Sequence, residues 1–77
     1  MVRTSDDQPK ALTRLLRLPE VTRLTGYSRD SIYRLAREGK FPRRIELSDR
    51  ASRWREDEIL AWIEARTAER DAAQQVA

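Results

Sequence analysis

The stretch TGYSRDSIYRLAREGKFPRRIEL, residues 25–47, contains the signals that decide the fold. Ser28 is a good helix N-cap, and the apolar residues after it recur at helical spacing until Gly39, a residue type that commonly ends helices. The period then changes, because Ile45 and Leu47 alternate with polar residues in the manner of a β-strand. The stretch therefore predicts a tight turn, a helix that begins after Ser28, and a strand.

The segment before this stretch predicts a short first helix, at about residues 19–25. Pro19 suits the first helical position, and the carboxylate of Glu20 complements the helix dipole in the first turn. Gly26 lies where this helix must end. Two helices joined by a few residues that include a glycine are typical of a helix-turn-helix.

The segment after it predicts a β-hairpin and a third helix. Residues 48–51, SDRA, predict a turn that returns the chain as a second strand at 52–55. Residues 55–66, REDEILAWIEAR, then open a helix whose first turn is acidic, as the dipole favours. The predicted fold class is mainly α with a small β-hairpin, a winged helix-turn-helix of three helices plus a wing.

Three segments are predicted. Residues 1–14 are polar and without periodicity and predict a disordered N-terminal arm, residues 15–67 form the winged domain, and residues 68–77 form a fraying C-terminal helix or tail. We expect the core to gather apolar residues from all the elements of the domain: Leu16, Leu18, Val21, Leu24, Ile32, Leu35, Phe41, Ile45, Leu47, Trp54, Ile59, Trp62 and Ile63.

Composition narrows the function classes. The net charge is +3, but residues 17–55 hold eleven basic and five acidic side chains, whereas residues 56–77 hold two basic and six acidic ones. This asymmetry favours a polyanionic partner on one face. The chain has no Cys and no His, which argues against disulfides, a thiolate nucleophile, a His general base and the usual zinc ligands. We therefore predict no enzymatic activity, no catalytic residue, no cofactor, no metal and no small-molecule substrate.

The localisation follows from similar arguments. No apolar run approaches the ~20 residues of a membrane span, and the first ten residues lack a secretory signal. We expect a cytoplasmic protein without a membrane partner.

The outward side of the second helix is cationic. Arg34 and Arg37 are three positions apart and point away from the apolar stripe. A helix is ~10–12 Å across and fits the ~12 Å major groove, where an arginine can bind guanine through two hydrogen bonds. Double-stranded DNA is the predicted partner. The predicted contacts are Ser28, Arg29, Ser31, Tyr33, Arg34 and Arg37 on the helix, and Lys40, Arg43, Arg44, Arg50 and Arg53 on the wing and its base.

Several residues have a second, structural interpretation. Arg34 can pair with Asp30 one turn earlier instead of contacting DNA. Tyr33 either packs against the wing or contacts the DNA backbone. Trp54 and Trp62 lie on apolar stripes and are predicted to be core residues rather than base-stacking platforms.

The residues from Leu15 to Arg66 resemble the AlpA family of small phage-type DNA-binding regulators, relatives of excisionases with a MerR-like winged helix-turn-helix. The resemblance is in LPEV at the first helix, GYSRDSIYRL across the turn, EGKFPRRIEL before the wing and SRWREDEILAWI after it. It implies that the second helix is the recognition helix and that Arg50 belongs to the wing. It also implies a transcriptional regulator of prophage or mobile-element genes, or a recombination directionality factor.

Three functions remain open at this point. The first is a sequence-specific DNA-binding transcriptional regulator, and the second is an excisionase-like factor that bends attachment-site DNA. The third is a protein-interaction module that docks on a host protein through the acidic third helix. That helix is predicted to be too short for a stable coiled coil, so we expect a monomer in solution, with cooperative multimers on DNA left open.

Overall fold

The computed structural model describes residues 13–76. The elements follow the order β1 (Leu15–Leu16), α1 (Leu18–Thr25), α2 (Arg29–Arg37), β2 (Ile45–Ser48), β3 (Ala51–Arg55) and α3 (Glu56–Val76). Two short helices, a hairpin and a third helix confirm the predicted winged helix-turn-helix. The predicted arm lies outside the described residues apart from Thr13 and Arg14.

The turn between α1 and α2 depends on one glycine and one cap. Gly26 has φ 79° and donates its N–H to the carbonyl of Thr22 at 2.8 Å, a left-handed conformation that favours glycine. The hydroxyl of Ser28 then accepts the N–H of Ser31 at 3.2 Å, which caps α2 as predicted. These local bonds set the direction in which α2 leaves α1.

Residues 38–44 form the link between α2 and the hairpin, and both tryptophans hydrogen-bond to it. Gly39, at φ 75°, ends the helix, and the following residues are bonded to two indoles. Trp54 donates its Nε1–H to the carbonyl of Pro42 at 3.2 Å, and Trp62 donates to the carbonyl of Lys40 at 2.8 Å. The tryptophans therefore hold the residues between α2 and β2 against β3 and α3, in addition to supplying bulk.

The strands form one antiparallel sheet in the order β1-β3-β2. The two-residue β1, which the sequence analysis missed, pairs Leu16 with Trp54 of β3. In the hairpin Ile45 opposes Arg53 and Glu46 opposes Ser52, and an irregularity follows before Ser48. Leu47 is the extra residue there, and such a bulge re-aims its side chain.

This register decides which face of the hairpin meets the helices. Directly opposed residues share a face, so Glu46 lies with Ser52 on the face of Trp54, whereas Ile45 lies with Arg53 on the other face. The alternation predicted from the sequence placed Ile45 inward together with Trp54, and that assignment is wrong. The polar set of β2 is the one turned towards α2.

The core is smaller than predicted. Among the residues that the structure describes, six are buried, namely Leu16, Val21, Ile32, Phe41, Trp54 and Ile59, and Leu18, Leu35, Trp62 and Ile63 pack against them. Leu24 is 44% exposed and Leu47 is 53% exposed, so their placement in the core was wrong. On α1 the half-buried Thr25, rather than Leu24, continues the stripe of Leu18 and Val21, as the 100° step per residue requires.

The chain just before β1 holds the start of α3. The N–H of Glu56 donates to the carbonyl of Arg14 at 2.9 Å, and the N–H of Asp57 donates to the hydroxyl of Thr13 at 2.9 Å. The guanidinium of Arg14 binds both carboxylate oxygens of Glu56, at 3.2 and 3.0 Å. Thr13 and Arg14, which the sequence analysis assigned to the arm, therefore supply partners for the first N–H groups of α3.

Helix α3 continues to Val76, well beyond the point where its apolar stripe ends. Thr67 is half-buried, and residues 68–74 are all exposed. Residues 68–76 are helical here, and the fraying predicted for 68–77 stays a prediction. Among residues 13–76 no helix is both long and apolar enough to cross a membrane.

Candidate nucleic-acid interface

Helix α2 presents its cations on one exposed side. Ile32 is fully buried and Leu35 and Ala36 are half-buried, whereas Arg34 and Arg37 are exposed, as the helical wheel predicted. Arg29, at the N-terminal end of the helix, is exposed as well. Within the described residues, Arg29 and Arg37 make no ion pair. This side of α2 therefore carries guanidinium groups that no carboxylate neutralises.

Glu38 is the acidic residue nearest to two of the predicted contacts. Its carboxylate lies 3.8 Å from the guanidinium of Arg34 and 3.6 Å from the ammonium of Lys40. The sequence analysis offered Asp30 as the partner of Arg34, but the carboxylate within reach is that of Glu38, one turn later. All three side chains are largely exposed, and such pairs contribute little to stability and exchange readily with other anions.

Ser28 and Ser31 occupy the N-terminus of α2. Their hydroxyls are 3.1 Å apart, and that of Ser28 also caps the helix. Both remain near the surface, where the positive end of the helix dipole lies. In this structure they act as cap and cap partner, and the predicted phosphate contact stays a prediction.

A notch separates α2 from the hairpin. It has a volume of about 550 Å³ and is lined by Tyr33 and Arg37 of α2, Arg43 and Arg44 of the link, and Glu46 and Trp54 of the hairpin. Arg37, which was predicted to belong to the recognition helix, thus meets Arg43 and Arg44, which were predicted to belong to the wing and its base. Arg43 is exposed and, within the described chain, has no ion-pair partner.

Tyr33 forms part of the wall of the notch. Its ring lies 6.3 Å from that of Trp54, and the guanidinium of Arg44 lies 5.5 Å above its centre. Tyr33 therefore packs against the wing, one of the two alternatives left open, and its contact with DNA stays a prediction. The aromatic face holds Arg44 through a cation–π contact.

Arg44 also has an acidic partner on the same face of the hairpin. Its Nη2 lies 3.2 Å from Oε2 of Glu46, and the two side chains are 41% and 68% exposed. The sequence analysis missed the role of Glu46 because it placed Arg44 and Glu46 on the outward face of the strand. The alternation of polar and apolar residues puts Arg44 and Glu46 on one face of the strand. Which face this is becomes clear only from the register with the strand that contains Trp54.

The remaining predicted contacts lie on the hairpin and do not line the notch. Arg50 is exposed in the turn between β2 and β3, and among residues 13–76 it has no ion-pair partner. Arg53 is half-buried on the opposite face of the hairpin from Trp54 and donates to the carbonyl of Ser52 at 2.9 Å. The structure therefore separates the tip and outer face of the wing from the notch.

The charges of α3 are arranged differently. Arg66 pairs with Glu69 at 2.7 Å, and Arg70 pairs with Asp71 at 2.9 Å. These cations are neutralised by neighbours on their own helix. The positive field of the described chain is therefore strongest on the α2 and wing side.

The acidic first turn of α3 is explained by ion pairs. Hydrogen bonds from Arg14 lower the pKa of Glu56, and those from Arg55 lower the pKa of Asp57. Reciprocally, these carboxylates raise the pKa of both arginines. Within residues 13–76 no group of three acidic side chains is arranged to hold a metal ion.

Comparison with known proteins places this fold in a family. The model of the family described as prophage CP4-57 regulatory protein (AlpA) matches residues 14–67. The chain belongs to the AlpA family. The match begins at the arginine that clasps α3 and ends at Thr67, the last half-buried residue described in that helix. It therefore covers the α2 surface, the notch and the wing.

One sequence similar to this chain comes from a bacteriophage. Uncharacterized protein ORF88 of Enterobacteria phage P4 is 44% identical over 57 residues, which cover 74% of this chain. The aligned part spans about 65% of the length of that relative. The family match makes the chain a member of a prophage regulatory family, and the relative adds a similar sequence from a phage.

Proposed function

We propose that this protein is a sequence-specific regulator that binds double-stranded DNA, with α2 as the recognition helix in the major groove. In this proposal the link and the β2–β3 wing bind the phosphate backbone. Arg34 and Arg37 contact base edges, Arg29 lies over the flanking phosphate, and Arg50 lies at the tip of the wing.

The observation that carries the proposal is the distribution of unpaired cations. Among the described residues, four arginines of α2, the link and the wing tip have no ion-pair partner: Arg29, Arg37, Arg43 and Arg50. An isolated excess of positive charge on one face disfavours the folded monomer and is compensated when phosphates bind. Solubility does not require unpaired arginines, because the ion-paired charges of α3 also make a surface soluble.

The geometry of α2 supports base contact. The helix is short, its buried stripe rests on the core, and its outer side projects no large apolar residue. An arginine on such a face can bind O6 and N7 of guanine with two hydrogen bonds, worth ~1–3 kcal/mol of discrimination against other bases. Membership of a regulatory phage family supports the choice of DNA as the polyanion.

The test begins by selecting binding sites from a random duplex library and measuring the affinity of wild type and variants. We expect Arg37→Ala to lose ~1–3 kcal/mol on the selected site and less on unrelated duplexes. Arg70→Ala removes the same charge from α3 and serves as the matched control, with an effect near zero. Equal losses for both variants, or no enrichment of any sequence, would contradict the proposal.

Salt dependence adds a second readout of the same interface. The logarithm of the affinity should fall linearly with the logarithm of the salt concentration. The slope of this line is about −0.9 for each phosphate that the protein neutralises. Arg43→Ala should reduce this slope by about one on every duplex, because it is proposed to contact the backbone rather than a base. Circularly permuted fragments carrying the site then separate a regulator, which leaves the duplex straight, from an excisionase-like factor that bends it.

A further inference from the structure

The notch between α2 and the wing contains an acidic residue, although a carboxylate on a DNA-binding surface repels phosphates. Arg37, Arg43 and Arg44 line the notch, and Glu46 is the carboxylate among them. Its position is imposed by the register, since Glu46 opposes Ser52 on the face that contains Trp54. A one-residue shift of the strand would have turned this carboxylate away from the arginines.

Arg44 is held between two partners in the notch. The ring of Tyr33 lies under its guanidinium at 5.5 Å, and Glu46 takes up Nη2 at 3.2 Å. The aromatic contact positions the cation and leaves its other N–H groups available. The carboxylate of Glu46 thus occupies the place that an oxyanion from outside would take.

We infer that the notch binds one backbone phosphodiester of DNA and that Glu46 is an internal counter-ion that this phosphate must displace from Arg44. This inference rests on the proposed function and specifies the role of one acidic residue within it. Glu46 is 68% exposed, so it can swing into solvent when a phosphate arrives. Displacement is feasible because an exposed carboxylate pair is weak, whereas arginine binds phosphate through two parallel hydrogen bonds.

The consequence is a reduced affinity for DNA in general. Any duplex offers phosphates, so a carboxylate in the phosphate site lowers binding to all sequences, whereas Arg34, which is proposed to contact a base, does not line the notch. Glu46 therefore increases the share of the binding energy that depends on sequence. The expected ligand is an oxyanion of phosphate chemistry, and the DNA backbone and free inorganic phosphate are its two sources.

The experiment compares two variants that remove the same charge. Glu46→Gln should raise the affinity for an unrelated duplex about two- to fivefold at low salt, the range given by an exposed ion pair. Glu64→Gln on α3 is the control, because Glu64 is exposed and has no ion-pair partner among residues 13–76. Thermal unfolding of both variants verifies that the fold is retained.

A double-mutant cycle then tests whether Glu46 acts through Arg44. Adding Arg44→Ala should abolish the gain caused by Glu46→Gln, whereas Glu64→Gln should change the affinity little with or without Arg44→Ala. Equal gains from the two glutamine variants would overturn the inference, and so would a gain that survives Arg44→Ala. A loss of affinity in Glu46→Gln would also overturn it and would assign Glu46 to a base contact.

The two phosphate sources are distinguished by competition. Inorganic phosphate, compared with sodium chloride of the same ionic strength, should not displace the duplex selectively from the Glu46→Gln variant. Selective displacement would overturn the assignment to the DNA backbone in favour of a free phosphate site. Failure of the wild type to bind any duplex at low salt is a different result, because it refutes the proposed function itself.

Discussion

Helices α2 and α3 are both amphipathic near the core, yet they treat their charges in opposite ways. On α2 the outward arginines at 29 and 37 are unpaired within the described chain, and the packed side continues to the last turn. On α3 the arginines at 66 and 70 pair with acidic residues of the same helix, and burial ends at Thr67. Sequence composition alone gives both helices the appearance of charged surface helices.

The difference shows that the number of arginines on a face is a weak indicator of its function. What matters is the net charge of the face, because an exposed ion pair is itself weak but every carboxylate on a face opposes the approach of a phosphate. By this criterion α2 and the wing form the DNA-binding side. Helix α3 packs on the core in its first half and is exposed to solvent at residues 68–74. The acidic α3 remains the surface that a protein partner of the third hypothesis would use.

The largest expected effect comes from the packed side of α2. Ile32→Ala removes a fully buried side chain and should lower the free energy of unfolding by ~2–5 kcal/mol, because it loses apolar burial and leaves a cavity. The same truncation on α3, Leu60→Ala, should cost well under half of that, since Leu60 is 45% exposed. Urea unfolding monitored by circular dichroism measures both.

A comparable cost for the two truncations would break the comparison. It would mean that Leu60 is covered in solution, for instance by a second copy of the chain. Helix α3 reaches Val76, so its length alone does not argue for a monomer, although residues 68–74 carry no large apolar side chain. Sedimentation of the wild type would then show whether a second copy of the chain buries Leu60.

The next effect concerns how the two helices begin. Ser28 caps α2 from within its own segment, whereas Thr13 caps α3 from a residue far away in the sequence. Ser28→Ala and Thr13→Ala should each cost ~1 kcal/mol of unfolding free energy, the usual worth of a side-chain cap. If Thr13→Ala has no effect, the folded domain begins after that residue and the predicted boundary at Leu15 is correct.

Much of this fold was readable from the sequence because the signals were local. Gly26, Ser28 and Gly39 specify where helices stop and start, and the structure has φ 79° and 75° at the two glycines. The outward side of α2 was also predictable, because a helical wheel needs no tertiary information. Local chemistry therefore gave the helix-turn-helix and the residues that α2 exposes.

The features that the sequence did not predict depend on long-range pairing. Which face of β2 meets α2 depends on its register with β3 and on the bulge at Leu47, and neither is encoded by alternation alone. For this reason the notch, the contact between Tyr33 and Arg44 and the position of Glu46 were missed. The two-residue β1 is too short to give any periodic signal.

A smaller effect is expected from acid, and it is confined to α3. The hydrogen bond from Arg14 lowers the pKa of Glu56 below its ordinary value of 4.5 in the folded protein. The unfolded state then binds the proton more readily, so the stabilisation is complete above pH 4.5 and is lost as the pH falls through the lower, folded pKa. Thermal unfolding across this range should show a steeper acid loss for wild type than for Glu56→Gln.

That result would locate the acid sensitivity at the clasp between Arg14 and α3. The pKa of Asp57 is lowered by Arg55 in the same way, so Glu56→Gln should flatten the acid limb without abolishing it. An unchanged acid limb in Glu56→Gln would show that the clasp is not formed in solution. Arginine titrates far above this range and contributes no slope there.

The smallest effect tests where α3 stops contributing to the cooperative fold. Ala36→Gly in α2 and Ala72→Gly in α3 are the same substitution in two helix interiors, where glycine costs ~1 kcal/mol relative to alanine. Ala36 packs against the core, so its full cost should appear in the unfolding free energy. Ala72 lies beyond the last half-buried residue, and a helix without tertiary contacts is marginal in water. We therefore expect only a few tenths of a kcal/mol at Ala72, because that segment frays before the domain unfolds. Equal costs at both positions would show that α3 unfolds together with the rest of the domain as far as its C-terminal end.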